Sequence, residues 1–393
     1  MSRSKSNVSG AKPKQLTAQG VYQLTSQVLQ EHFQLDMSDS DFEASDIWDV
    51  LVAASVQRLT IETACDLLEQ APSPNTVRTA LRKMLANDDQ LAQIEAVVNH
   101  MLVARLPKAL LKRARPCAAD MTDIPYHGRH EAEDDLVRRG RAKQGTTHFH
   151  SYATLCIIRK HKRYTLAITL FRRSDAALDA LKRLLAQGES LGLRLKRLFL
   201  DRGFDNNAVV DYLSGQAFPT IMPLTIRGKQ GGSRALLKGR TSYHTTYTRS
   251  SQQYGDRMLT VQIVCKYHKG RYRRQGVKHF AYILIGQLNL SPQQLFEEYR
   301  RRFGIETGYR LMNTMRARTT SKWVALRLFL VALALLLLNL WHYVKWQYLF
   351  VPRPGPRQLL HHLLPLARWR LWLWEMVKQR QGFSLTIDLP MSA

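Results

Sequence analysis

Acidic residues are scarce in this chain of 393 residues. Asp and Glu number 31 against 58 Lys and Arg, which gives a formal net charge of +27. The basic excess is spread along the whole chain and is not confined to one tail. Such a charge needs a polyanionic partner, and nucleic acid is the commonest one. An anionic membrane surface and a ribosomal-type RNA are the alternatives.

Cysteine is scarce too. The four cysteines lie at positions 65, 117, 156 and 265, so no two are close in sequence. This spacing excludes a zinc ribbon and gives no sign of a disulfide framework, which fits a reducing cytoplasm. Residues 1–15 are polar and basic and lack the apolar segment of a secretory signal, so we predict a disordered basic arm there.

An uninterrupted membrane-spanning apolar run is also missing. Residues 324–341 are nearly long enough to cross a bilayer, but Arg327 and Asn339 leave only the 11 residues 328–338 uninterrupted. A charge deep in a membrane helix is costly. We therefore expect a helix buried in a protein core and no membrane partner, with a membrane helix as the alternative.

Residues 16–104 show helical spacing of apolar residues and predict an N-terminal helical domain that binds DNA. Within it, two short helical segments flank the breaker at 71–74, as in a helix-turn-helix. The second segment would read DNA, and its candidate contacts include Asn75, Arg78, Arg82 and Lys83. An ordinary helical hairpin fits the same pattern.

The rest of the chain predicts an α/β (α+β) fold. Residues 105–224 carry β-rich runs followed by alternating helix and strand patterns, an order that resembles the RNase-H-like mixed sheet with flanking helices. Residues 225–291 predict a β-rich insertion, and 292–347 return to helix and complete the RNase-H-like part. Residues 348–393 form a basic, Trp-rich C-terminal segment without a predicted role.

Three carboxylates stand where metal ligands would be useful. Asp120 lies at the end of the first predicted strand, Asp201 ends a buried strand, and Glu306 lies on the helix before the apolar run. Hard ions such as Mg²⁺ or Mn²⁺ prefer oxygen ligands. Two such ions can stabilise the attacking and leaving oxygens of a phosphodiester displacement. Taken singly, each carboxylate could instead be a helix cap, a turn residue or an ion-pair partner.

The sequence around these residues resembles a known family. The segments AADMTDIPYHG, LFLDRGF and YRRRFGIETGYRLMN look like the three acidic motifs of DDE transposases from bacterial and archaeal insertion sequences. The resemblance covers about residues 105–345. It implies two Mg²⁺ or Mn²⁺ ions held by Asp120, Asp201 and Glu306, cleavage of double-stranded DNA at transposon ends, and transfer of the 3′-OH to target DNA. It also implies a homodimer on paired ends and a cytoplasmic, nucleoid-associated protein. Asp123 is the alternative first ligand.

The branch with a β-rich insertion carries a Tyr-Arg-Glu-Lys signature. Tyr299, Arg302 and Glu306 match its spacing, but Asn313 stands where the branch has Lys. On one continuous helix these residues and Arg310 would share a face, so we predict that Tyr299, Arg302, Arg310 and Asn313 contact DNA. Arg310 would supply the missing positive charge. The alternative for Arg310 is an ion pair with Glu306.

Other candidates are less specific. His148 and His150 share a strand face and could bind a metal, although no third ligand is evident and a phosphate or surface role is the alternative. Basic clusters at 112–115, 159–163, 271–274 and 300–302 are interleaved with aromatic residues, a pattern that favours contact with phosphates. Two other functions remain open: another RNase-H-like nuclease such as a resolvase, and a catalytically silent, transposase-derived DNA-binding protein.

Overall fold

The computed structural model describes residues 15–85, 90–129, 134–159, 162–253, 255–267, 276–354 and 357–386. The chain divides into two compact units. The larger unit comprises Asn87–Thr314 and Thr320–Asn339, and the smaller one comprises Met1–Ala86, Met315–Thr319 and Leu340–Ala393. Most of the predicted N-terminal arm and the basic cluster at 271–274 lie outside the described residues.

The described part contains eleven α-helices and one nine-stranded mixed sheet. The helices are α1 (Ala18–His32), α2 (Ala44–Gln57), α3 (Ile61–Leu67), α4 (Pro74–Leu85), α5 (Leu91–Leu102), α6 (Ala177–Ser190), α7 (Asn207–Ser214), α8 (Pro292–Arg300), α9 (Gly304–Asn313), α10 (Val324–Tyr348) and α11 (Leu366–Gln381). The strands are β1 (Arg115–Pro125), β2 (Arg138–Lys143), β3 (Thr146–Arg159), β4 (Lys162–Phe171), β5 (Leu195–Leu200), β6 (Thr220–Pro223), β7 (Tyr243–Arg249), β8 (Arg257–Tyr267) and β9 (Val277–Ile285).

The sheet lies entirely in the larger unit and has the order β2-β3-β1-β5-β6-β9-β8-β7, with β4 also paired to β3. Strands β1, β5 and β6 run parallel, and the other pairings are antiparallel. Buried apolar residues of the strands pack against α6 and α7 on one face. Ser291 caps α8, and Pro292 occupies its first turn, where a missing backbone N–H is tolerated. The predicted α/β (α+β) class is confirmed.

The predicted β-rich insertion is present as strands, but it does not form a separate sheet. Strand β9 pairs with β6 through Thr220–Pro223 opposite Tyr282–Ile285, and β8 and β7 follow outward. Residues 225–291 therefore extend the central sheet. Alternating apolar residues predict each strand but not its neighbour, because pairing between distant strands leaves no local signature.

Helix α5 belongs to the larger unit, so the predicted domain boundary at residue 104 lies too late in the chain. The side-chain amide of Asn99 accepts a hydrogen bond from Ile168 N at 2.7 Å and donates one to Ile168 O at 3.0 Å. Asn339 of α10 makes the same pair of hydrogen bonds with Thr165, which like Ile168 lies on β4. Its Oδ1 accepts from Thr165 N at 3.0 Å and its Nδ2 donates to Thr165 O at 2.8 Å. Both amides are buried and satisfy backbone groups of β4 that would otherwise lack partners.

Helix α10 is long and apolar enough to cross a membrane, but 94% of its most apolar window is buried inside the protein. The two polar residues that interrupt the run have hydrogen-bond partners within the protein. Asn339 bonds β4, and the Arg327 guanidinium donates to Ser321 O at 2.6 Å. This burial agrees with the predicted core helix.

The smaller unit combines the first four helices with the C-terminal segment. Asp49 of α2, which is 1% exposed, lies at the centre of the contact between α11 and the first helices. Its carboxylate accepts hydrogen bonds from Tyr22, from Arg380 at 3.0 Å and from Gln381 at 2.9 Å. Trp369, Leu373 and Val377 of α11 are buried. Residues 366–381 are therefore a core helix of the N-terminal unit, a role that the sequence did not indicate.

Candidate active site

Strands β1 and β5 place two of the predicted carboxylates side by side. The strands pair in parallel with Ala119 opposite Leu200, so Asp120 and Asp201 follow at the same level. Buried apolar residues on both strands fix the backbone there. Asp120 was expected at the end of its strand, but β1 continues to Pro125 because β3 pairs with it over that length.

The Arg302 guanidinium brings the third carboxylate to the same point. Its Nη1 lies 3.1 Å from Asp120 Oδ2, and its Nη2 lies 3.2 Å from Asp201 Oδ1 and 3.8 Å from Glu306 Oε1. Arg302 occupies the 3-10 turn between α8 and α9, and Glu306 lies in the first turn of α9. The Arg302 side chain is 4% exposed and that of Asp120 7%, whereas those of Asp201 and Glu306 are 40% and 58% exposed. One buried cation therefore contacts all three acids.

Burial and charge act against each other at Asp120. Burial raises the pKa of its carboxyl to about 7, Arg302 lowers it, and Asp201 and Glu306 raise it. Burial alone would lower the pKa of Arg302, but Tyr299 and the three carboxylates raise it above its ordinary value. The guanidinium therefore stays charged and offsets the repulsion among the carboxylates.

The donor set suits a hard divalent cation. All three groups are carboxylates, which Mg²⁺ and Mn²⁺ prefer, and two of them are open to solvent. Within the described ranges, however, no group of three or more His, Cys, Asp or Glu side chains is arranged to hold a metal ion. Because Arg302 lies among the carboxylates, a divalent cation would have to compete with its guanidinium for their oxygens.

Hydrogen bonds from two tyrosine hydroxyls connect α8 to β5 and α9 to β1. Tyr299 Oη donates to Leu200 O at 3.0 Å, one residue before Asp201. Tyr309 Oη donates to Asp120 O at 3.0 Å and lies 2.7 Å from Thr154 Oγ1. Glu306 lies between these tyrosines in sequence, so both bonds restrain its position relative to the two aspartates. Sequence reasoning missed Tyr309 and Thr154, because nothing in their local pattern marks them.

The comparisons with known proteins concern the family and the fold of the chain. The family model described as transposase DDE domain matches residues 112–340.

The chain belongs to the transposase DDE domain family.

Among solved structures, the transposase is similar to piggyBac transposase, determined by cryo-electron microscopy as a synaptic complex with hairpin DNA. The TM-score is 0.53 at 11% identity, and the match covers 95% of this chain and 81% of that chain. This likeness concerns the fold. No curated protein matches the chain.

Removing the tyrosine hydroxyls should impair the transposase beyond their effect on stability. For Tyr299→Phe and Tyr309→Phe we expect about 1–2 kcal/mol less unfolding free energy each, because a buried carbonyl loses a donor. Strand cleavage should slow more than about tenfold, since small displacements of reacting groups are costly. Tyr243→Phe is a matched control, because its hydroxyl donates to Leu236 O away from the carboxylates. Equal rate losses in all three variants, measured under conditions where each is folded, would show a purely structural role.

The structure corrects the predicted DNA contacts of Tyr299 and Arg302. Tyr299 is 2% exposed and Arg302 is 3% exposed, so DNA cannot reach them in this structure. The predicted continuous helical face is also wrong, since α8 ends at Arg300 and α9 begins at Gly304. Gly304 lies against Arg163, whose guanidinium occupies the space that a Cβ would need.

Arg310 and Asn313 stay predictions as DNA contacts. Arg310 is exposed near the end of α9, and its Nη2 donates to Thr307 Oγ1 at 3.2 Å. Its predicted alternative partner, Glu306, pairs with Arg302 instead. Asn313, the last residue of α9, is half-buried.

Asp123, the alternative first ligand, lies apart from the trio. It is three residues beyond Asp120 on β1, so its side chain lies on the opposite face of the strand. Its carboxylate is exposed and accepts a hydrogen bond from Ser151 Oγ at 2.6 Å. The structure therefore groups Asp120, and not Asp123, with Asp201 and Glu306.

The predicted helix-turn-helix segments are present as α3 and α4, but several predicted reading residues contact other protein groups. Arg78 bonds Asn75 at 3.1 Å and pairs with Glu62. Lys83 lies 2.8 Å from Asp39 and 3.4 Å from Asp36. Arg82 is exposed on α4. DNA reading by Asn75, Arg78, Arg82 and Lys83 stays a prediction, and DNA would have to displace nearby carboxylates from two of these side chains.

The two strand histidines are not arranged as metal ligands. His150 is 1% exposed and lies with Nδ1 3.1 Å from Leu136 O. His148 lies 3.4 Å from the Arg139 guanidinium. Burial, reinforced by Arg327, lowers the pKa of His150 to about 4. His150 is therefore neutral in the folded protein at neutral pH.

This burial predicts acid sensitivity. The folded pKa of His150, about 4, lies below its unfolded value of about 6.5. Its stabilising contribution is thus complete above pH 6.5 and is lost as the pH falls towards 4. Between pH 7.5 and 4.5 the loss should be about 2.5 kcal/mol. Urea unfolding at both pH values should show this part of the loss abolished in His150→Asn and retained in His148→Asn. The same pH dependence in both variants would contradict the assignment.

Proposed function

We propose that this transposase binds the ends of its mobile element, cuts DNA by two-metal-ion phosphodiester hydrolysis and transfers the 3′-OH ends to target DNA. The observation that carries the proposal is the convergence of Asp120, Asp201 and Glu306 on one buried guanidinium. Three carboxylates held close together by rigid elements repel one another unless a cation lies among them.

Two Mg²⁺ or Mn²⁺ ions would be held by these three side chains. When bound, the ions stabilise the attacking and leaving oxygens and raise the nucleophilicity of water. The protein supplies the positions: β1 and β5 fix the aspartates, and the hydrogen bonds of Tyr299 on α8 and Tyr309 on α9 restrain Glu306.

Double-stranded DNA is the proposed substrate, at both element ends and target. The net charge of +27 supports this, as does the bound DNA in the piggyBac structure. We further propose that the protein acts as a homodimer on paired ends and that it works in the cytoplasm on nucleoid DNA.

Nicking of a duplex that carries the terminal inverted repeats flanking the coding region tests the proposal. We expect nicks at the repeat ends that require Mg²⁺ or Mn²⁺, disappear with EDTA and leave a 3′-OH. The freed ends should then join to a second duplex. Binding of the repeats without nicking in either metal would favour a catalytically silent DNA-binding protein. Nicking without joining would favour another RNase-H-like nuclease.

A further inference from the structure

A basic β-hairpin extends from the edge of the larger unit. Strand β2 pairs with the start of β3, with Arg138 opposite Phe149 and Lys143 opposite Thr146. The turn residues Gln144 and Gly145 have φ values of 51° and 80°. Two successive positive φ angles are typical of a type I′ turn, whose twist matches that of the strands it joins. The hairpin thus has a defined conformation at its tip.

Strand β2 contributes almost no buried surface, whereas Phe149 on β3 is buried and anchors the base of the hairpin. Arg138 is half-buried, with its guanidinium 3.6 Å from the Phe171 ring centre, and the other five residues of β2 are exposed on both faces. Residues 138–149 include three arginines and one lysine but no acidic residue. Of these, Arg141 and Lys143 lie nearest the tip. Core packing does not account for a strand of this composition, whereas a polyanionic partner would.

The hairpin lies beyond the carboxyl end of β1, at the same end of the sheet where Asp201 follows β5. Asp120 is opposite Thr154 on β3, and Lys143 is opposite Thr146, eight residues closer to the tip. At about 3.3 Å per residue, the tip lies about 25 Å along the strand from Asp120. Phosphates of one DNA strand are spaced about 3.4 Å apart along the helix axis, so this distance equals about six to eight nucleotides.

We infer that the hairpin formed by residues 138–149 contacts the phosphates of duplex DNA about six to eight nucleotides from the phosphodiester that is cut. The inference rests on the proposed function, since it takes the position of the cut from Asp120, Asp201 and Glu306. A two-stranded ribbon is narrow enough to enter the major groove, and its cations would reach the flanking phosphates.

The salt dependence of binding tests the contact without any cleavage. The probe is a duplex of about 30 base pairs of arbitrary sequence in EDTA, and the variant is Arg141→Ala with Lys143→Ala. The slope of log K against log salt is negative, and each lost phosphate contact reduces its magnitude by about 0.9. For the double variant we therefore expect the magnitude to decrease by about 1.8. The matched control is Lys108→Ala with Lys196→Ala, which removes two positive charges from exposed sites, one in the segment before β1 and one near the amino end of β5. An unchanged slope, or equal decreases in both double variants, would overturn the inference.

A cross-linking experiment tests the position. All four native cysteines are buried, so Ala142→Cys introduces an exposed thiol that can carry a photo-crosslinker. On nicked repeat DNA we expect cross-links about six to eight nucleotides from the nick. Cross-links confined to other positions would refute the placement. If the parent protein binds duplex but never nicks it, the proposed function fails while the salt slope still decides the hairpin contact. If the parent nicks and the hairpin variant binds like the parent, only the hairpin inference fails.

Discussion

Asp120→Asn, Asp201→Asn and Glu306→Gln are each expected to lower strand cleavage by at least about a hundredfold, equal to about 2.7 kcal/mol of activation free energy. Each change keeps the size of the side chain but removes the charge that would hold a divalent cation. Duplex affinity at fixed salt should change less than about twofold, because the contacts that dominate affinity are made to phosphates by basic residues. The measurements are single-turnover nicking of repeat DNA in Mg²⁺ and equilibrium binding in EDTA.

Asp123→Asn is the matched control, since it makes the same change three residues away on the opposite face of β1. It should cleave at the parent rate. Cleavage by Asp120→Asn together with its loss in Asp123→Asn would move the first ligand to Asp123. Near-parent cleavage by any one of the three variants would remove that residue from the trio.

The end of strand β5 could be predicted from the sequence because it is locally encoded. An apolar run such as Leu198–Leu200 followed by an acid and a glycine-containing turn indicates a buried strand with a carboxylate at its exposed end. The observed strand β5 ends at Leu200, directly before Asp201. Family resemblance supplied the grouping of the three acids, and the contacts of Arg302 show that the fold brings them together.

The roles of Tyr299 and Arg302 could not be predicted, because the direction of their side chains depends on where the helical segment is interrupted. Helical spacing from 299 to 313 assumes one unbroken helix, but the 3-10 turn at Arg301–Phe303 interrupts it. A 3-10 turn has three residues per turn, so side chains after it change direction relative to those before it. The close approach of Arg163 to Gly304 is a tertiary contact that no local pattern reveals.

The assignment of segments to the two units could not be predicted either, because it too depends on tertiary contacts. Helix α11 packs into the smaller unit through Arg380 and Gln381 on Asp49, more than 300 positions away in sequence. Its sequence alone shows only a basic, Trp-rich helix. Similarly, Asn99 makes α5 part of the larger unit by bonding Ile168. Long-range polar contacts of this kind follow from the fold and have no sequence periodicity.

Arg302→Ala is expected to lower the unfolding free energy of the metal-free protein by about 3–5 kcal/mol, the usual effect of removing one partner of a buried ion pair. The substitution removes a buried cation that contacts all three carboxylates, and it leaves Asp120, which is 5% exposed, without its 3.1 Å partner. Mutual repulsion among the acids then adds to the loss. Urea unfolding in EDTA measures this effect.

Added Mn²⁺ distinguishes a role of Arg302 in neutralising the three carboxylates from a contact between Arg302 and DNA. A ligand that binds only the folded state stabilises it by RT ln(1 + [L]/Kd), so tighter binding at the same concentration stabilises the protein more. Because the metal no longer competes with a guanidinium in Arg302→Ala, Mn²⁺ should raise the unfolding free energy more in the variant than in the parent. Arg310→Ala, which removes an exposed arginine from α9, should change stability by less than about 0.5 kcal/mol and respond to Mn²⁺ like the parent. Arg302→Lys should fall between parent and alanine, since an ammonium keeps the charge but lacks the planar fork that spans Asp120 and Asp201. Parent-like stability of Arg302→Ala in EDTA, with only DNA binding reduced, would instead restore the predicted role of Arg302 as a phosphate contact.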